Sequence, residues 1–175
     1  MFLMRNWFRN FILNRVYLNS YKKPVSTRRR YGDTIRTISI ILDNNLGIDK
    51  DKFNKMAELF DLSQKNMMVL TYCKSPDQIS DSDINNCFTS KDISNMGIVN
   101  GVLKKFCAKK ADVLINYYNR NDINLKYISS KCNKNISIGF NNIDHELNDL
   151  ILDIDPKSID LFMDECVKYL KTIYS

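Results

Sequence analysis

The chain has 175 residues, of which 44% are hydrophobic and 26% charged. That is enough apolar material for one globular core, and it excludes a chain disordered throughout. The net charge of +6 is unevenly distributed: residues 1–31 hold eight Lys or Arg and no Asp or Glu, whereas residues 32–175 hold 18 basic and 20 acidic residues. A basic block joined to a near-neutral body points to an anionic partner: nucleic acid, a ribosomal particle or a phospholipid surface.

Residues 2–18 read as a helix. Met4, Trp7, Phe8, Phe11 and Leu18 recur at helical spacing and form its expected apolar face, interrupted by Arg15. Leu13, Val16 and Tyr17 fall off that face. Residues 19–31 lack an apolar period, contain Pro24 and include Arg28-Arg29-Arg30; they read as a basic linker.

The remainder alternates between strand and helix patterns. Ile35–Leu42 is an apolar, β-branched run and reads as a buried strand. Phe53, Met56, Ala57 and Phe60 mark a helix over 51–60. Met67–Tyr72 reads as a second strand, and a polar stretch over 74–95 follows with a short strand at Cys87–Thr89. Ile98–Ala108 reads as a helix with Val102, Leu103 and Phe106 inward, and Gly97 as its start. Asp112–Tyr117 reads as a strand, Asn121–Cys132 as a helix, and Ile136–Phe140 and Leu147–Leu152 as strands. Pro156 introduces a final helix over 157–173, on which Ile159, Phe162, Met163, Cys166, Val167, Leu170 and Ile173 share one face. This order predicts a three-layer, Rossmann-like α/β domain over 32–175 with a mostly parallel sheet, preceded by the basic amphipathic helix and linker of 1–31.

Motifs for chemistry are sparse. The loop after the first strand, Asp43-Asn44-Asn45-Leu46-Gly47, lacks the glycines a dinucleotide site needs, and no phosphate-binding P-loop is present. The cysteines (73, 87, 107, 132 and 166) are dispersed and the single His is His145, so the sequence predicts reduced, mostly buried thiols and no structural zinc. His145 and the Asp81-x-Asp83 pair read as solvated loop residues, and Cys73 is the thiol to inspect at a strand end. No catalytic residue, metal ligand or cofactor is assigned. Ligands of open α/β sheets bind beyond the carboxyl ends of the strands, which makes Asp43, Asn116 and Asn141 a candidate small-molecule pocket for a nucleotide or sugar phosphate.

The sharpest functional signal is residues 1–31. Arg5, Arg9, Arg15, Lys22, Lys23, Arg28, Arg29 and Arg30 supply phosphate contacts, with Trp7 or Tyr21 for stacking. The leading expectation is a non-enzymatic, cytoplasmic module attached to RNA or a ribosomal particle. Two alternatives are a peripheral protein at the inner face of the membrane, using the same helix, and a small-molecule binding protein. A third view takes the aromatic face as docked on the protein's own body. An arginine-rich, acid-free start also fits a cleavable targeting segment. No apolar run reaches the roughly 18 residues of a membrane span.

Two resemblances bear on the body. Lys110–Tyr118, followed by a helix and then Ile136-Ser137-Ile138-Gly139-Phe140, resembles a small uncharacterised bacterial family of unknown function with a basic N-terminal helix. Ile35–Asp43 matches its first strand loosely, with Ser39 in place of Gly and Ile41 in place of Leu. That likeness spans nearly the whole chain and implies no known activity. The order Asp112-x-Leu114-Ile115, helix, Ile138-Gly139-Phe140 is also similar to the acceptor-side half of heptosyltransferase-type GT-B glycosyltransferases, over about 35–141. It implies the same fold. The chain is too short for the second half that binds the sugar nucleotide, so the likeness extends at most to a degenerate transferase half.

Overall fold

The computed structural model describes residues 2–21 and 34–174; the side chains of residues 2–5 and 21 lie outside that description. The elements are α1 (Phe2–Tyr21), β1 (Ile38–Asp43), α2 (Asn54–Leu59), β2 (Met67–Tyr72), β3 (Cys87–Phe88), α3 (Gly101–Ala108), β4 (Ala111–Tyr117), α4 (Ile123–Lys131), β5 (Lys134–Phe140), β6 (Leu150–Leu152) and α5 (Ile159–Ile173). The six strands form one sheet in the order β3-β2-β1-β4-β5-β6, and every neighbouring pair is parallel. This is the doubly wound, Rossmann-like order, whose direction of travel reverses between β1 and β4.

Strand alternation explains the layers. On one face, Ile38, Ile40 and Leu42 of β1, Val113, Ile115 and Tyr117 of β4, and Ile136, Ile138 and Phe140 of β5 pack against Phe53 and Met56 and against Ile159, Phe162, Met163, Cys166 and Leu170 of α5. Tyr117 is the centre of an aromatic cluster, edge-on to Phe53, Phe140 and Phe162 at 4.9–5.1 Å between ring centroids. On the other face, Ile41, Leu70, Tyr72, Leu114 and Tyr118 meet Leu103 and Phe106 of α3 and Leu125, Tyr127 and Ile128 of α4. Leu13 and Tyr17 of α1 join this second core.

The strands agree with the sequence pattern; several boundaries differ for local reasons. β1 starts at Ile38, because the amides of Arg36 and Thr37 are taken by the Asp112 carboxylate at 2.9 and 3.0 Å. The 51–60 helix splits into a 3₁₀ turn over Lys50–Phe53, capped by Asp49, and a short α2. Gly97 does not start a helix: it lies in a turn with φ of 75°, its carbonyl accepts from Tyr127 Oη, and α3 begins at Gly101. β6 covers only Leu150–Leu152, and His145–Leu147 form a 3₁₀ turn capped by Asp144. Gly139 permits a close approach, since a Cβ there would run into the Asn148 side chain. The linker expected over 19–31 and the boundary at 31/32 fall largely outside the described residues, although Asn19–Tyr21 still belong to α1.

Candidate functional site

Residues 2–21 contain neither Gly nor Pro, so nothing interrupts the backbone of α1. The helix lies on α4. Arg9 is its anchor: Nη2 donates to Asn124 Oδ1 at 2.6 Å and to the Ser90 carbonyl at 3.0 Å, and Nε donates to the Ile93 carbonyl at 3.4 Å. Asn124 is held ready for it, because its amide and Nδ2 both bond to the α4 cap Asp122. One helical turn on, Leu13 is fully buried. One turn further, Tyr17 Oη donates to Asp144 Oδ2 at 2.6 Å, with Lys126 Nζ 4.9 Å from the ring centroid. Burial pulls the Arg9 guanidinium below its ordinary pKa, opposed by Tyr72 and Asp122; arginine is nonetheless charged at any physiological pH.

This orientation corrects the view in which the aromatic face of the helix docks on the body. Arg9, Leu13 and Tyr17 face the body. At 100° per residue, Trp7, Phe11 and Leu18 lie about half a turn away from Arg9 and Leu13, and they face solvent together with Phe8: relative exposures are 69% for Trp7, 50% for Phe8, 52% for Phe11 and 46% for Leu18. The aromatic face therefore does not dock on the protein's own body. Trp7 and Phe11 stack on each other, 5.7 Å apart and 17° from parallel. Phe11, Asn14, Arg15, Leu18 and Asn19 line an open hollow on the same side.

The expected phosphate ligands separate accordingly. Arg9 is consumed inside the protein, which corrects its assignment as an outward contact. Arg15 is exposed beside the aromatic face. The side chains of Arg5 and Tyr21, and all of Lys22, Lys23, Arg28, Arg29 and Arg30, lie outside the described residues. No helix among the described residues is long and apolar enough to cross a membrane.

The strand-end crevice forms a second candidate, at the point where the strand order reverses. Asp43 ends β1 fully buried and takes Arg120 Nε at 2.5 Å, Asn45 Nδ2 at 2.6 Å and the Asn45 amide at 3.1 Å. Arg120 also reaches Asp122 at 3.5 Å and lies over the Tyr72 ring, 5.6 Å from its centroid. The crevice between β1 and β4 is thus bridged by a cation that sequence reading missed, for Arg120 carries no motif. Asp43, Asn116 and Asn141 share no hydrogen-bond partner. Asn116, buried in β4, donates to Asn148 Oδ1 at 2.7 Å, and Asn141 donates to Asp153 at 2.5 Å. Asn116 Oδ1 and Asn148 Nδ2 are buried without a hydrogen-bond partner among the described residues.

The other singled-out groups are structural. His145 is exposed, its Nε2 2.7 Å from the Asn141 carbonyl. Asp83 pairs with Lys50, which holds its carboxyl below the usual range. Burial pushes the Cys73 thiol up, which suits a core residue and not a nucleophile. No group of three or more His, Cys, Asp or Glu that could hold a metal occurs among the described residues.

No curated protein and no solved structure matches the chain, so the glycosyltransferase likeness stays at the level of sequence order. Residues 9–173 match a family described as "Family of unknown function (DUF6913)". The match starts at Arg9, the residue that ties α1 to α4, and runs to the end of α5. A match over nearly the whole folded body, together with the parallel α/β sheet, places the chain in the DUF6913 family.

Proposed function

We propose that this chain is an attachment module that binds an anionic bilayer surface through the outer face of α1 and the basic stretch that follows it. The carrying observation is the orientation of α1. One face is pinned to α4 by Arg9, Leu13 and Tyr17, and the opposite face presents Trp7, Phe8, Phe11 and Leu18 to solvent. A contiguous row of large apolar side chains is costly in water, and such rows mark docking surfaces. Interfacial helices bury aromatic and aliphatic groups at the headgroup boundary, and nearby cations add about 1 kcal/mol each on an anionic leaflet. Arg15 on the helix and Lys22, Lys23 and Arg28–Arg30 in the sequence beyond it supply those cations.

A phosphate-tracking nucleic-acid surface fits this face less well. Its described part carries four large apolar groups and Arg15, while Arg9 is spent internally. A small-molecule role has less support still, because its three candidate residues point to separate partners.

Vesicle co-sedimentation tests the reading. Vesicles containing phosphatidylglycerol are expected to pellet the protein and shift the emission of its single tryptophan, Trp7, to the blue; neutral phosphatidylcholine vesicles are not. Trp7→Ala with Phe11→Ala is expected to abolish pelleting while leaving the fold intact, as both residues are exposed. Equal pelleting of the double variant, or retention on RNA but not on vesicles, overturns the proposal.

A further inference from the structure

The five cysteines are not equivalent. Cys107 lies in the last turn of α3 and Cys132 follows the last turn of α4, 25 residues later, with their sulfurs 3.8 Å apart. The backbone holds them there. The Asn133 amide donates to the Cys107 carbonyl at 3.3 Å, and the Ala111 amide donates to the Asn133 carbonyl at 2.9 Å. The pair therefore sits where β4 and β5 begin, at the end of the sheet opposite Asp43 and Arg120. Cys107 is buried and Cys132 half-buried.

The surroundings favour a thiolate at one position. The Cys132 thiol donates to the Cys107 sulfur, and Lys131 and Lys134 add positive charge; together they hold Cys107 below the ordinary thiol value despite its burial. The same hydrogen bond, with burial, pushes Cys132 well up. The remaining cysteines go the other way. Burial raises Cys73 and Cys166, and takes Cys87 to about 12. Cys73 and Cys87 form the other neighbouring pair, but neither thiol ionises readily near neutral pH. Reactivity toward oxidants follows the thiolate and a nearby resolving thiol.

We propose that Cys107 and Cys132 are a redox-responsive dithiol that a hydroperoxide converts to a reversible disulfide. The Cys107 thiolate attacks one peroxide oxygen and breaks the O–O bond. The attacked oxygen stays on sulfur with its proton, so Cys107 becomes a sulfenic acid, and with hydrogen peroxide the other oxygen leaves as hydroxide, which takes a proton to become water. Cys132, losing its proton, attacks the Cys107 sulfur; the S–S bond forms and the sulfenic oxygen leaves as a second water. Two thiols are oxidised by two electrons and one peroxide is reduced to two waters. The sulfurs must close by about 1.8 Å to reach bonding distance. Both lie at helix ends, where small shifts of the last turn are tolerated. The new bond ties the end of α3 to the end of α4, the helix on which α1 rests. The inference is independent of the bilayer reading, since it involves another edge of the molecule.

Peroxide titration of the full chain tests it. After oxidation, quenching and denaturation, a thiol reagent is expected to count three thiols instead of five. Peptide mapping is expected to find Cys107 joined to Cys132, and dithiothreitol to restore all five. Cys132→Ser is expected to stop at a sulfenic acid on Cys107 that a 1,3-diketone reagent traps. Five thiols surviving peroxide, a link confined to Cys73 and Cys87, or Cys107 over-oxidising while Cys132 stays free would each overturn the proposal.

Discussion

Arg9 of α1 and Asn124 of α4 are joined by a buried hydrogen bond of 2.6 Å across 115 residues of chain. The bond turns a residue of the basic N-terminal block into a structural anchor, and it decides which side of α1 faces outward. Two backbone carbonyls, of Ser90 and Ile93, complete the seat.

Replacing Arg9 by Ala is expected to destabilise the protein by about 2–3 kcal/mol, since hydrogen bonds from a charged donor are lost and a buried amide oxygen is left bare. The loss is expected to be local as well as global. Amide hydrogen exchange in α1 should speed up more than exchange in β1 or β4, because helix docking is the step undone. Arg9→Lys is expected to recover little, as one ammonium cannot span the three acceptors of the planar guanidinium. An Arg9→Ala protein with unchanged urea midpoint and unchanged α1 exchange would refute the anchoring role.

Arg120 is expected to matter for the same reason at the other end of the sheet. Its partner Asp43 is 1% exposed, so Arg120→Gln strands a buried carboxylate. The expected cost is about 3 kcal/mol, the lower end for breaking a buried pair, because Arg120 itself is partly exposed. Asp43→Asn combined with Arg120→Gln is expected to regain part of that loss, giving a positive coupling in a double-mutant cycle. Additive losses in urea titrations would show that the two side chains do not act as a unit.

Stability is expected to fall at alkaline pH. Burial pushes Cys166 above its ordinary 9.0 and Tyr117 above its ordinary 10.0. Above those values the unfolded chain has released protons that the folded chain still holds. The unfolded state then binds fewer protons, and the stability slope with pH is negative. The contribution is complete below about pH 9 and is lost progressively as pH rises through the folded values. Tyr117→Phe is expected to flatten part of the decline, at the cost of the bond from Tyr117 Oη to the Pro156 carbonyl. Denaturant midpoints followed upward from neutral pH, with tyrosinate absorbance in parallel, measure both effects. A midpoint that rises across this range would contradict the assignment.

Much of the fold is legible before any coordinates because parallel strands buried on both faces are continuous apolar runs. ISIILD, MMVLTY, DVLINY and ISIGF each stand out, and each lies in a strand of the sheet. The weaker elements were less readable. Leu147 is the buried residue of a 3₁₀ turn and does not belong to β6, because any short apolar cluster looks like a strand when its backbone partners are unknown. The candidate pocket rests on position alone. Asp43, Asn116 and Asn141 all sit toward strand carboxyl ends, and alternation puts them on one face of the sheet, but each side chain is hydrogen-bonded to a different partner: Arg120, Asn148 and Asp153.

By itself the sequence determined the α/β layering, the parallel sheet and the separation of a basic N-terminal stretch from a near-neutral body, since these follow from periodicity and charge count. Tertiary structure decided the orientation of α1 and the closure of the crevice. Helical periodicity finds two apolar stripes on α1, one through Trp7, Phe11 and Leu18 and one through Leu13, Val16 and Tyr17. It has no means of choosing between them. The choice is made by Asn124 and Asp144, which offer acceptors to Arg9 and Tyr17 at the right spacing across more than 100 residues of chain. Hydrogen-bond complementarity between distant segments carries no local signature, and it is what leaves the aromatic face of α1 in solvent.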